Sequence, residues 1–198
     1  MSGHMSSTPT LSPGRRNLGG RQADRVDALV DATVAELREV GYDGLTVRNA
    51  ARRAGVAAAT AYTYFGSKDH LVAEVFWRRL QTLGSASSHA RLPLTRVQAT
   101  LRELALLIAA EPELAAASTT AILAVDSDVQ RLRNRIGAAF NGHLAAALGP
   151  AADPAVLRAL NLALAGALLQ AGMGYFSYAD LADRMDEVAG LLVGEGHG

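Results

Sequence analysis

Residues 46–71 read TVRNAARRAGVAAATAYTYFGSKDHL, and this stretch decides the fold. Thr46 is placed to cap a helix beginning at Val47, because its hydroxyl can accept a first-turn N–H that has no partner inside the helix. Gly55 ends that helix, since glycine takes the left-handed backbone a tight reversal needs. A second short helix follows over residues 57–64, and Ser67 caps a longer one that starts Lys68-Asp69. Two short helices so close in sequence must cross steeply, and a small residue, Ala51, sits where they touch. Val47, Ala50, Ala54 and Val56 supply an apolar side for a preceding helix, while Arg48, Arg52 and Arg53 stay outside, where they can meet phosphates. The spacing fits a helix-turn-helix, and it also fits a plain helical hairpin with solvated arginines.

Upstream, Val26, Leu29, Val30, Thr33, Val34, Leu37 and Val40 recur at helical steps, an amphipathic stripe that Gly41 stops. Residues 1–20 are rich in Ser, Thr, Pro and Gly and read as a disordered arm carrying Arg15 and Arg16, with Arg21 just beyond it. Met1-Ser2-Gly3-His4-Met5 reads as a cloning remnant, and no secretory segment precedes the first helix. Downstream, breaks at Pro93, Glu111-Pro112, Ser127, Gly149-Pro150 and Ser177 divide the chain into helices near 95–110, 112–125, 128–148, 154–175 and 178–193. The expectation is an all-α protein of about nine helices. It divides into an arm (1–20), an N-terminal three-helix domain (21–68) that holds the helix-turn-helix candidate, and a larger helical domain (69–198).

Composition agrees. The 198 residues are 49% hydrophobic but only 5% aromatic, with Ala and Leu dominant, which suits helices that bury a sizeable core. The net charge is zero, yet residues 1–80 hold 11 Arg and Lys against 8 Asp and Glu, a net +3, and the remainder carries the compensating −3. The basic half is where DNA contacts are expected. There is no Cys, so disulfides and thiolate metal sites are excluded, in keeping with a cytoplasmic protein. HExxH, GxSxG and phosphate-loop patterns are absent, and His70, His89 and His143 lack metal-ligand spacing, so neither an enzyme nor a cofactor is expected. Residues 159–176, ALNLALAGALLQAGMGYF, are uncharged, but Asn161, Gln170 and the glycines favour a buried helix over a membrane span.

The chain from about Asp24 to Trp77 resembles a TetR-family DNA-binding domain. The resemblance rests on Gly41-Tyr42, Thr46-Val47, Ala54-Gly55-Val56, Thr60, Tyr62, Tyr64-Phe65, Ser67-Lys68-Asp69 and Leu71, in that order. It implies that the helix over 57–64 lies in the major groove of a double-stranded DNA operator and reads bases with Ala58, Ala59, Thr60 and Thr63. Thr46, Tyr62, Tyr64 and Lys68 then hold phosphates together with Arg48, and Arg15, Arg16 and Arg21 form an arm suited to a minor groove. The sequence departs from the family at Ala57, where Ser is common, at Ala58, where a longer polar residue is common, and at Ala61, where a bulky apolar residue is common.

The resemblance further implies that residues 21–68 are the DNA-binding domain and residues 69–198 an effector-binding and dimerisation domain, with a homodimer through the last two long helices and a repressor released by an effector held among the middle helices. Candidate pocket residues are Leu107, Leu114, Thr119, Ile122, Leu123, Ile136, Phe140, Asn141, Leu168 and Met173. The run EPELAAASTTAILAVDSDVQRLRNRIG and the use of 18 Arg to one Lys are similar to actinobacterial members, which points to a small apolar effector such as a lipid, acyl thioester or sterol-like molecule. A regulator without an effector, a helical lipid carrier and a helical enzyme are the competing readings.

Overall fold

The structure, a computed structural model, describes residues 13–84, 90–150 and 152–194, with the backbone alone for 13–19. Among the described residues nine α-helices run in chain order: α1 Pro13–Gly44, α2 Val47–Arg53, α3 Ala58–Tyr64, α4 Lys68–Leu80, α5 Pro93–Ala109, α6 Pro112–Ala121, α7 Ser127–Leu148, α8 Pro154–Gly172 and α9 Leu181–Ala189. A 3₁₀ turn, Tyr178–Asp180, precedes α9, and a wide π turn, Gly190–Gly194, follows it. No strand occurs among the described residues.

The helix ends follow local chemistry. Thr46 Oγ1 accepts the Asn49 N–H at 3.0 Å and Asn49 Oδ1 accepts the Thr46 N–H at 2.7 Å, a reciprocal cap that fixes the start of α2. Gly55 has φ +66°, and the Val56 N–H reaches back to the Ala51 carbonyl while the Gly55 N–H reaches Arg52, which closes the α2 end as a Schellman turn. Pro93, Pro112 and Pro154 open α5, α6 and α8, where proline's missing N–H costs nothing. Arg96 closes the far end of α7 by donating to the carbonyls of Ala147 and Leu148.

Two expectations need correction. α1 begins at Pro13, so residues 13–20 continue the helix instead of forming an arm; a proline at the first helical position, followed by Arg15, Arg16 and Leu18, starts a helix readily despite Gly19 and Gly20. Residues 1–12 lie outside the described residues, as do the side chains of Arg15 and Arg16. At the other end of α1, Gly41 ends the regular helix as expected, with the non-helical pair φ +67° and ψ −178°, and one further turn runs to Gly44. The helix over 154–172 is not buried within the chain. Only Leu160, Leu164 and Ala171 are, and Leu162 is 75% exposed, so this helix, long and apolar enough by composition to cross a membrane, shows an apolar face to the outside.

Two hydrophobic cores form. One gathers α1, α2, α3 and the start of α4 around Leu29, Leu37, Leu45, Val47, Ala50, Ala61, Phe65 and Leu71. The other gathers α4 to α9 around Leu80, Leu101, Leu104, Leu144, Leu160, Leu181 and Met185. α6 belongs to both: Leu114, Ala117 and Ala121 enter the first core and Ala115 the second.

Candidate functional site

α2 and α3 form a helix-turn-helix braced on α1. Ala50, Ala51 and Ala61 are fully buried where the helices meet, so at Ala61 a small side chain gives close packing in place of bulk. The opposite face of α3 is open. Ala59, Tyr62 and Thr63 are exposed, Tyr62 by 49%, while Ala58, Thr60 and Tyr64 are half-buried. Ala57 occupies the N-cap position of α3 and makes no side-chain cap, leaving the first N–H groups of the helix pointing outward. Thr63 Oγ1 donates to the Thr60 carbonyl at 2.6 Å, which still leaves its oxygen free to accept a hydrogen bond.

The arginines divide. Arg48 and Arg52 are exposed, as is Arg21 on α1. Arg53 is not free for phosphate, because its Nε donates to Glu36 at 2.6 Å and its Nη2 to Glu39, both on α1. Glu36 is buried, so this pair ties α2 to α1, and its hydrogen bonds hold the Arg53 guanidinium above its ordinary value. Lys68 Nζ donates to the Tyr42 carbonyl at 3.0 Å and lies 4.1 Å from the Tyr42 ring centroid. Two of its three N–H donors therefore remain for a phosphate. The Tyr42 hydroxyl bonds Asp69; burial, then this bond, raise its pKa.

A cavity of about 430 Å³ lies between α6, α7 and α8, with Phe76, Ile108 and Tyr178 completing the wall. Of the expected pocket residues, Thr119, Ile122, Leu123, Ile136, Phe140 and Leu168 line it. The other expected residues do not. Leu107 and Leu114 face a notch of about 10 Å³ between α4 and α6, Met173 faces an open groove between α8 and α9, and Asn141 is exposed, accepting from Asn161 at 3.2 Å. Periodicity shows that a helix has an apolar face, whereas the rotation that turns it to a cavity or to a neighbour is set by packing. The sequence alone did not point to the polar lining residues Ser118, Arg133, Asn161 and Tyr178, nor to apolar ones such as Phe76, Ile108 and Leu169. Tyr178 OH and Thr119 Oγ1 are 3.3 Å apart, and Thr119 also abuts Gly172, where a Cβ would stand 2.9 Å away; glycine there lets α8 close on α6.

The family model for bacterial regulatory proteins of the tetR family matches residues 29–75, from α1 into α4. An uncharacterized HTH-type transcriptional regulator of Mycobacterium tuberculosis is 45% identical over 176 residues, which is 87% of this chain and 82% of that protein. The chain belongs to the TetR family.

As a TetR-family protein it is a transcriptional regulator with a DNA-binding helix-turn-helix. It is also 29% identical over 181 residues to the transcriptional repressor KstR of Rhodococcus jostii, covering 88% of this chain and 85% of that one. A TetR regulator from Rhodococcus sp. RHA1 superposes with a TM-score of 0.74 at 22% identity, over 89% of this chain and all of the other, so the family fold extends past the DNA-binding domain into the cavity-bearing helices.

Proposed function

We propose that this protein is a homodimeric repressor whose α3 helices enter successive major grooves of an operator and whose cavity takes a small, mainly apolar effector that releases the DNA. The observation that carries this reading is the double role of α6. Leu114, Ala117 and Ala121 pack with the helix-turn-helix core, and Ser118, Thr119 and Ile122 line the cavity. The two sets lie on adjoining strips of one short, close-packed helix, so α6 cannot shift for one unit without the other.

Base reading falls to Ala58, Ala59, Thr60 and Thr63, whose methyls suit thymine methyls. Thr46, Arg48, Tyr62, Tyr64 and Lys68 hold phosphates, and exposed Arg21 on α1 extends the basic surface. Dimerisation uses the outward face of α8 with α9, where Leu162, Leu169, Met173 and Leu191 are exposed; an apolar patch of this kind calls for a partner surface. The likeness to KstR supports repression over activation.

The test is a gel shift on DNA flanking the protein's own gene, at about 50 and 200 mM salt, beside sedimentation to read the oligomer. Retarded DNA at low salt, weakened steeply at high salt, and a dimer are expected. Absence of binding to any such fragment at low salt overturns the operator reading, and a monomer overturns the dimer. Small molecules that raise the melting temperature are then added to the gel shift; an effector must lower DNA affinity, because tight binding alone shifts no equilibrium.

A further inference from the structure

The cavity has a polarity that takes the effector reading one step further and rests on it. Its wall is mostly aliphatic and aromatic, with Asn161 of α8 and the Tyr178 hydroxyl as neutral polar groups, and its one charge lies where α6 meets α7. There Arg133 is the one charged lining residue, and no Asp or Glu lines the space. One guanidinium N–H donates to the Ile122 carbonyl at 3.0 Å. The group has five N–H donors and no acceptor, and Arg133 forms no ion pair among the described residues.

Ser118 stands one helical turn before Ile122, on the same face of α6. It is 5% exposed, it lines the cavity, and its hydroxyl has no hydrogen-bond partner. Its neighbour Thr119 meets the same need internally by donating to the Ala115 carbonyl at 3.1 Å. A buried hydroxyl left unpaired is costly unless something that enters the cavity supplies the bond.

We infer that the effector is a monoanionic amphiphile, with a carboxylate-type head held by Arg133 and Ser118 and an aliphatic or alicyclic body against Ile136, Phe140 and Leu168. A planar guanidinium with spare donors matches a carboxylate, and a low-dielectric wall strengthens the attraction. A lipophilic cation would meet Arg133 with like charge, and a pure hydrocarbon would leave both polar groups unpaired. The cavity, about 430 Å³, is of a size that encloses one small molecule.

The experiment is calorimetric titration of the full chain with dodecanoate and with its methyl ester, each kept below its aggregation concentration, for the natural sequence, Arg133→Gln and Ser118→Ala. Dodecanoate is expected to bind the natural protein roughly tenfold or more tightly than the ester, the yield of charge-assisted hydrogen bonds. Arg133→Gln is expected to bring the two within about twofold by weakening the acid alone, and Ser118→Ala to narrow the gap in part. Should Arg133→Gln melt far below the natural protein, Arg133→Lys replaces it; charge without the planar fork keeps part of the preference. Equal affinity for acid and ester, or an acid affinity unmoved by both Arg133 substitutions, overturns the anionic head and leaves the apolar effector standing. If neither probe binds, this inference falls together with the effector reading.

Discussion

Ser67 Oγ donates to Asp126 Oδ2 over 2.9 Å, so the residue that caps α4 holds the residue that caps α7. Ser67 also accepts the His70 N–H at 3.0 Å, and Asp126 Oδ1 accepts the N–H groups of Asp128 and Val129 at 2.8 and 2.9 Å. The start of the helix that follows the reading head is thereby joined to the start of a cavity wall. Each cap alone is worth about 1 kcal/mol. In urea unfolding, Ser67→Ala and Asp126→Ala are each expected to destabilise by that amount, and the double variant by less than their sum, with a coupling of about 0.5 kcal/mol or more. Strict additivity would show that the two caps act independently in solution.

Stability is expected to fall on the acid side through these caps. Asp126 is held below the ordinary carboxylate value, first by the Val129 N–H and further by Ser67, and Asp180 is lowered by the hydroxyl and N–H of Ser177. A carboxylate lowered by folding stabilises fully above its unfolded value of about 3.9, and this contribution is lost as pH falls through the folded value. Thermal melts from neutral pH downward should therefore be flat with respect to these groups until the carboxylate range is reached, then decline. Asp126→Asn should melt lower at neutral pH and decline less steeply in acid; an unchanged acid limb would contradict the assignment.

On DNA, Lys68→Ala and Tyr62→Phe are expected to weaken binding to all sequences alike, and Lys68→Ala to reduce the salt slope by about 1. Changes at Ala59 or Thr63 are expected to alter which sequence is preferred. Binding to a randomised operator pool measures both effects. A shift in preference from Lys68→Ala, with overall affinity intact, would reverse this sorting.

Arg53 has a different expected signature from Arg48. Arg53→Met removes the partner of buried Glu36, so its melting temperature should drop, and adding Glu36→Gln should recover part of the loss because the uncompensated charge is gone. Arg48→Met should leave the melting temperature near that of the natural protein while lowering DNA affinity. Equal melting temperatures for the two single variants would show that the Arg53–Glu36 pair contributes nothing to the fold.

The reading head was legible because its signals are local. Thr46, Gly55 and Ser67 each act on residues within one turn, and they lie in the structure where such residues belong. Arg53 was not legible, since its partner Glu36 is 17 positions away on another helix and nothing in the pattern of charges selects it over solvent or phosphate. The cavity was legible by half for the same reason. Ile122, Ile136 and Phe140 fall on it, whereas Leu114 sits on the same helix as Ser118 yet enters the other core. Arg133 escaped notice because a charged residue on a helix ordinarily signifies a solvated face, and only the packing of α6 against α7 brings it to the cavity.

The two-sidedness of α6 also bears on engineering. Ser118, Thr119 and, just past the helix end, Ile122 line the cavity, while Leu114, Ala117 and Ala121 of the same ten-residue helix anchor the reading head. If the cavity takes an effector as proposed, a library confined to Ser118, Thr119 and Ile122 is therefore expected to retune a biosensor toward new analytes while the promoter it controls stays the same.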